Sequence, residues 1–170
     1  MLHIGGSYLG PSFVSMDCRT KPRVETRRAK LGSLTSRDSL SALAAHFGRL
    51  ADSDFDPGHF VEPTRRQDGV TVIGYAVLSA AANAFLDDAI AAGWVRPFDW
   101  VVWQTTAEGR GLLFDQSSIA GASADQLSKV LTTCFRKDRF ADGTLLAAFE
   151  SGLMKAVAGR AVVLLGEGGQ

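Results

Sequence analysis

Gly93-Trp94-Val95-Arg96-Pro97-Phe98-Asp99-Trp100-Val101-Val102-Trp103 holds all three tryptophans of the chain. So much ring surface in one place marks where the protein is pinned together, because each buried aromatic removes roughly 150–250 Å² from water. Pro97 pushes Arg96 out of the helical region, so any preceding helix has to end there. Asp99 is placed to cap a new helix. Phe98 then stands just before the cap and Trp103 at the fourth helical position, the spacing of a hydrophobic staple. Trp100 and Trp103, three apart, share a helix face. The segment reads as the joint between two helices, with Gly93 closing the first at positive φ. Trp94, in the turn before the proline, is the ring this architecture explains least.

On the N-terminal side, Ser79 caps an Ala-rich helix with Phe85, Leu86, Ala89 and Ile90 on its buried stripe. Before it, the β-branched run from Val70 to Val77 predicts a strand. Asp52 to Gly58 is a loop, and an earlier helix starts near Ser36 or Asp38 with Leu40, Leu43, Ala44, Phe47 and Leu50 at helical spacing. On the C-terminal side, the helix from Asp99 is limited by Gly109 and Gly111, and residues 114 to 122 read as a linker. Ser123 and Gln126 have capping-box spacing ahead of Leu127, Val130, Leu131, Cys134 and Phe135. That helix should end between Asp138 and Phe140. Asp142 then caps a fifth, with Leu145, Leu146, Phe149, Leu153 and Val157, which Gly159 closes; Ala161 to Leu165 is a last strand or a helical extension. The fold expected is mainly α: a compact bundle of about five helices, with a short strand or hairpin near residues 60–77. Residues 36–165 form the globular domain, 1–35 a basic flexible arm and 166–170 a frayed tail.

At 170 residues, with 21% of them charged, the chain suits one hydrophobic core. The zero net charge hides an asymmetry. Residues 1 to 37 carry seven Lys or Arg against two acids, which leaves 11 basic and 16 acidic groups of the 18 and 18 for the remainder. A basic arm tracks phosphates and an acidic body repels them. Cys18 and Cys134 have no ligand-spaced neighbours, so neither zinc nor a disulfide framework is suggested, and a reducing cytoplasm is expected. No secretory signal is expected in residues 1 to 15, and Met16 is a second candidate start. The uncharged run from Gly69 to Leu86 is too rich in Ala, Thr, Gly, Ser and Asn to read as a membrane span.

Chemistry-bearing patterns are sparse. His3, His46 and His59 stand in no metal or nucleophile arrangement, and Asp87 and Asp88 are adjacent on a helix and face different ways. No catalytic residue, metal ligand or cofactor is assigned. The densest polar cluster is Arg136-Lys137-Asp138-Arg139, ahead of Asp142. Helix-dipole and capping effects account for most of it, while the sharper reading makes Arg136 and Arg139 an anion site with Asp138 orienting a guanidinium. A helix-turn-helix reading fails, since Thr144 to Val157 offers only Glu150 and Lys155 as charges to read bases.

The order Gly93-Trp94-Val95-x-Pro97-Phe98-Asp99-Trp100, then Arg136-x-Asp138-Arg139-Phe140-x-x-Gly143-x-Leu145, then Phe149-Glu150-Ser151-Gly152 resembles a bacterial family of small cytosolic proteins, domain of unknown function 6508. The resemblance covers roughly residues 40 to 158. It implies a fold and a bacterial origin, and no reaction. It also implies that the two motifs meet, with Asp99 or Glu150 facing Arg136 or Arg139, so the candidate binding residues are Trp94, Arg96, Asp99, Arg136, Asp138, Arg139 and Glu150. Three readings of function stand side by side. The first is a non-enzymatic protein-interaction or regulatory module with a protein partner, in a mobile-element or defence setting. The second is a small-molecule or nucleotide-binding enzyme using that polar-aromatic corner. The third is nucleic-acid binding through the basic arm; no membrane partner is expected.

Overall fold

Side-chain caps start four of the eight helices where the sequence places them, in a computed structural model that describes residues 36–168. The arm expected over residues 1 to 35 lies outside the described residues. Ser36 caps α1 (Arg37–Ala44) by accepting from the Ser39 amide at 3.2 Å. The chain breaks at Ala45 and His46 before α2 (Phe47–Ala51), so the single helix expected here is two. The break follows a tightened turn, in which the His46 amide donates to Leu43 O at 3.2 Å. Ser79 caps α3 (Ala80–Ala91), and Gly93 closes it at φ 79°. The Gly93 amide reaches Ile90 O and the Trp94 amide reaches Ala89 O, at 3.0 and 2.9 Å, the two bonds of a Schellman ending.

Between α2 and α3 stands a hairpin arm. Strand β1 (Gly58–Val61) pairs antiparallel with β4 (Tyr75–Leu78), and β2 (Thr64–Arg65) pairs with β3 (Thr71–Val72). The one strand expected over residues 70 to 77 is interrupted at Ile73 and Gly74. A Cβ on Gly74 would lie 2.8 Å from the Val61 carbonyl oxygen, so the chain closes on itself there as only glycine allows. Two groups of β4 are taken from its outer side: the Ala76 amide donates to Asp142 Oδ2 at 3.2 Å, and Leu78 O accepts from Asn83 Nδ2 at 3.2 Å. On β1 the Gly58 amide donates to Asp56 Oδ1 at 2.8 Å.

The Trp segment ends in α4 (Trp100–Trp103), and α5 (Ala107–Phe114) follows, where one helix was expected. Thr106 caps the second by accepting from the Gly109 amide at 3.0 Å. Gly109 does not limit a helix but sits inside α5, where a Cβ would come 2.1 Å from Trp103 O. The expected linker is a 3-10 turn, Gln116–Gly121, with Ile119 buried. The capping box of Ser123 and Gln126 opens α6 (Ala124–Asp138) as the spacing predicts.

The expected fifth helix is also divided, into α7 (Thr144–Glu150) and α8 (Leu153–Glu167), with Gly152 at φ 80° between them. Gly143, at φ 90°, takes the cap position of α7 in place of Asp142, whose carboxylate is turned to β4. Gly159 is interior to α8, which continues through residues 161 to 165 and beyond the predicted start of the tail. Arg160 holds that extension by donating from Nε to Ala122 O at 2.8 Å and meeting Glu167 at 3.1 Å.

The mainly α expectation holds. There are eight helices among the described residues rather than about five, and each addition comes from a break in an expected helix. The buried face of α8, with Leu153, Met154, Val157, Ala158 and Ala161, is the spine against which α1, α2, α7 and the 3-10 turn lie. Leu43, Phe85, Trp94, Leu127 and Leu131 complete the centre of the core. No helix among the described residues is long and apolar enough to cross a membrane.

Candidate functional site

The Trp segment is structural through most of its length. Trp94 is fully buried, its Nε1 donating to Ser39 O at 2.9 Å, so the one polar atom of the ring is satisfied inside the core. Its carbonyl accepts from Ser128 Oγ at 2.6 Å, and the next-but-one amide, Arg96 N, donates to Thr132 Oγ1 at 2.9 Å. Two hydroxyls four apart on α6 therefore hold this turn. Trp94, read from the sequence as the ring least explained by architecture and as a candidate binding residue, is enclosed because the Schellman ending of α3 aims it inward. Arg96 Nε donates to Gly93 O at 2.9 Å. Asp99 caps α4 by accepting from the Val102 amide at 3.1 Å, and the Phe98–Trp103 staple forms with ring centres 5.8 Å apart.

The two motifs do meet, through different residues. Trp100 stacks on Phe140 at 6.2 Å, which joins α4 to the end of α6. The charges expected to pair do not. Asp138 Oδ1 accepts from the Leu145 amide at 3.0 Å, fixing the α6–α7 corner. Arg139 is the exposed C-cap of α6, and Glu150 is exposed at the end of α7. Among the described residues neither Asp99 nor Glu150 forms an ion pair with Arg136 or Arg139. An exposed carboxylate at a helix end is solvated, so Glu150 has no need of a buried partner. It lines a separate cleft of about 310 Å³ with Asp52, Phe55 and Lys155.

His46 and Asp88, unremarkable in sequence, meet at 2.8 Å and tie the α1–α2 turn to α3. Among the described residues neither side chain bonds to a nucleophile, and the His46 ring packs edge-on to Phe85 at 5.6 Å. No group of three or more metal-ligating side chains gathers among the described residues.

The feature that sequence reasoning missed is a cavity of about 360 Å³ bounded by α5, the 3-10 turn, α6, α7 and the start of α8. Leu113, Ala147, Ala148 and Leu153 give it apolar walls, and Cys134 lines its buried side. Burial pushes the Cys134 thiol up to about 12, against a smaller opposing pull from Lys137. A thiol so placed stays protonated near neutral pH and is no nucleophile. Lys137 carries its Nζ 6.0 Å from the centre of the Phe114 ring, a cation held over an aromatic face. The 3-10 turn that forms one edge is fixed by Asp115, whose carboxyl is held below its ordinary range by the hydroxyls of Ser117 and Ser118 and by the Ser117 amide. Next to it, Gln116 Nε2 donates to Ser151 O across the α7–α8 joint. The signal in the sequence was the small residues Thr144, Ala147, Ala148 and Ser151 on one short helix, which leave room opposite Leu113 and Phe114.

Fold and site together define a small mainly helical domain with a two-stranded arm set against α7 and a largely apolar cavity lined by a single lysine. The chain belongs to a family of unknown function, DUF6508, whose family model matches residues 35–167. Neither the curated proteins nor the solved structures compared with it include a match.

Proposed function

We propose that this chain is a protein-interaction module that engages its partner through the hairpin arm. The observation that carries this reading is the arm's surface. Phe60, Val70, Val72, Ile73, Tyr75 and Val77 are all exposed on it, Ile73 to 82% and Tyr75 to 48%. Six such apolar side chains on one short element are a concentration that another protein can cover, whereas the exposed Phe47, Ile90, Val101, Val102, Val162 and Val163 are spread over several helices of the body. Phe140, exposed and two residues before Asp142, extends the apolar surface toward the α6–α7 corner that touches β4. Burying two such anchors contributes about 1.5–3 kcal/mol each, which spans the difference between about millimolar and micromolar affinity.

The test is affinity capture from a bacterial host with the wild-type chain and with the double variant Ile73→Ser, Tyr75→Ser. Both side chains face solvent, so the unfolding midpoint should stay the same while the captured partner is lost. Capture of the same proteins by both baits would sink the proposal.

A further inference from the structure

The cavity beside Cys134 has no part in that reading. We propose that it binds a small apolar carboxylate, the hydrocarbon body held between α5, α6 and α7 and the acid group on the Lys137 ammonium. Its volume of about 360 Å³ falls within the range of roughly 300–1,000 Å³ usual for small-molecule sites. Its walls are largely apolar, and the hydroxyls that line it are already committed as donors. Thr133 Oγ1 donates to Lys129 O at 2.7 Å, Thr144 Oγ1 to Ala141 O at 2.7 Å, Ser151 Oγ to Ala148 O at 3.2 Å, and Gln116 Nε2 to Ser151 O.

Gln116 Nε2 keeps a second N–H, and the Lys137 ammonium is the one cation that lines the cavity. Among the described residues no carboxylate lies within ion-pairing distance of it, and the acid next to it in sequence, Asp138, is spent on the Leu145 amide. Phe114 holds the Lys137 cation at the cavity mouth. A neutral apolar ligand would cover that ammonium without pairing it, which penalises binding. A phosphate dianion would bring two charges to one cation and set its remaining oxygens against alanine and leucine. A single carboxylate on an apolar body matches both the charge and the walls.

Titration calorimetry with octanoate and with octan-1-ol tests the match, using the full chain, Lys137→Gln and Ala147→Leu. Ala147 lines the cavity from an exposed position on α7, so leucine there fills space without disturbing the core. The expected result is that the acid binds the wild type more tightly than the alcohol does. Lys137→Gln should weaken octanoate by about tenfold or more, the loss of a charge-assisted bond, and leave octanol within about twofold by the same measure. Ala147→Leu should weaken both. Absence of octanoate binding, equal affinity for acid and alcohol, or indifference of the acid to Lys137→Gln each overturns the proposal. Acid binding that survives Ala147→Leu unchanged overturns it too, because the site would then lie outside the cavity.

Discussion

Two glycines of α5 look interchangeable in sequence and are not. At Gly109 an added methyl would meet the Trp103 carbonyl oxygen at 2.1 Å, and a backbone atom cannot rotate away; at Gly111 the nearest atom is Ser118 Oγ at 3.9 Å. Alanine in a helix gains about 1 kcal/mol over glycine, whereas forced contacts in a packed site cost about 1–3 kcal/mol or more. The clash wins at one position and the propensity wins at the other. Gly109→Ala should therefore lose about 2 kcal/mol of stability, and Gly111→Ala should gain up to about 1 kcal/mol. Urea unfolding of the two variants side by side checks both signs. From sequence both glycines read as helix limits, because the contact that fixes Gly109 is with a carbonyl that reaches it only after α4 has turned.

At the scale of the element, four helix starts were legible, the start at Asp142 was misplaced by one residue, and the helix breaks were not legible. Ser36, Ser79, Asp99 and Ser123 each accept the amide their spacing predicts, since a cap is a local bargain between a side chain and a backbone three residues on. The breaks at Ala45–His46 and Ser151–Gly152 leave the apolar spacing intact, so Leu43 to Leu50 and Phe149 to Leu153 still face the core on either side. Periodicity reports which side is buried and says nothing of a turn that preserves it. The cavity was missed for a related reason. It exists because Ala147 and Ala148 leave space that Leu113 and Leu153 do not fill, and small residues on a helix give a signal only once the element opposite them is known. Of the proposed binding residues, Asp99 was read correctly as a cap, while Trp94 was misread because its burial depends on Ser39, 55 residues away. The box at the start of α6 gives a direct check: Ser123→Ala should cost about 1 kcal/mol, read as a lower thermal midpoint with unchanged helical circular dichroism.

For the whole molecule, the buried thiol links stability to alkaline pH. Folding raises Cys134 from 9.0 to about 12. Below pH 9 both folded and unfolded chains hold the proton and its contribution is complete. As pH rises from there the unfolded chain loses the proton first, so stability falls until the folded pKa is passed. Cys134→Ala should flatten the decline relative to wild type between pH 9 and the onset of general alkaline unfolding, measured as the denaturant midpoint against pH. A steeper decline in the variant would contradict it.

The arm bears on a different property, the way copies add to one another. A solvent-exposed ribbon with two bare margins templates growth in both directions, and such growth has no built-in end. Here the β4 margin already has Asp142 on Ala76 and Asn83 on Leu78, while on β1 Asp56 takes only the Gly58 amide. In the language of polymer chemistry the β4 margin is partly stopped and the β1 margin is the open one: a copy that joins along β1 presents a β4 on which Ala76 N and Leu78 O are already taken.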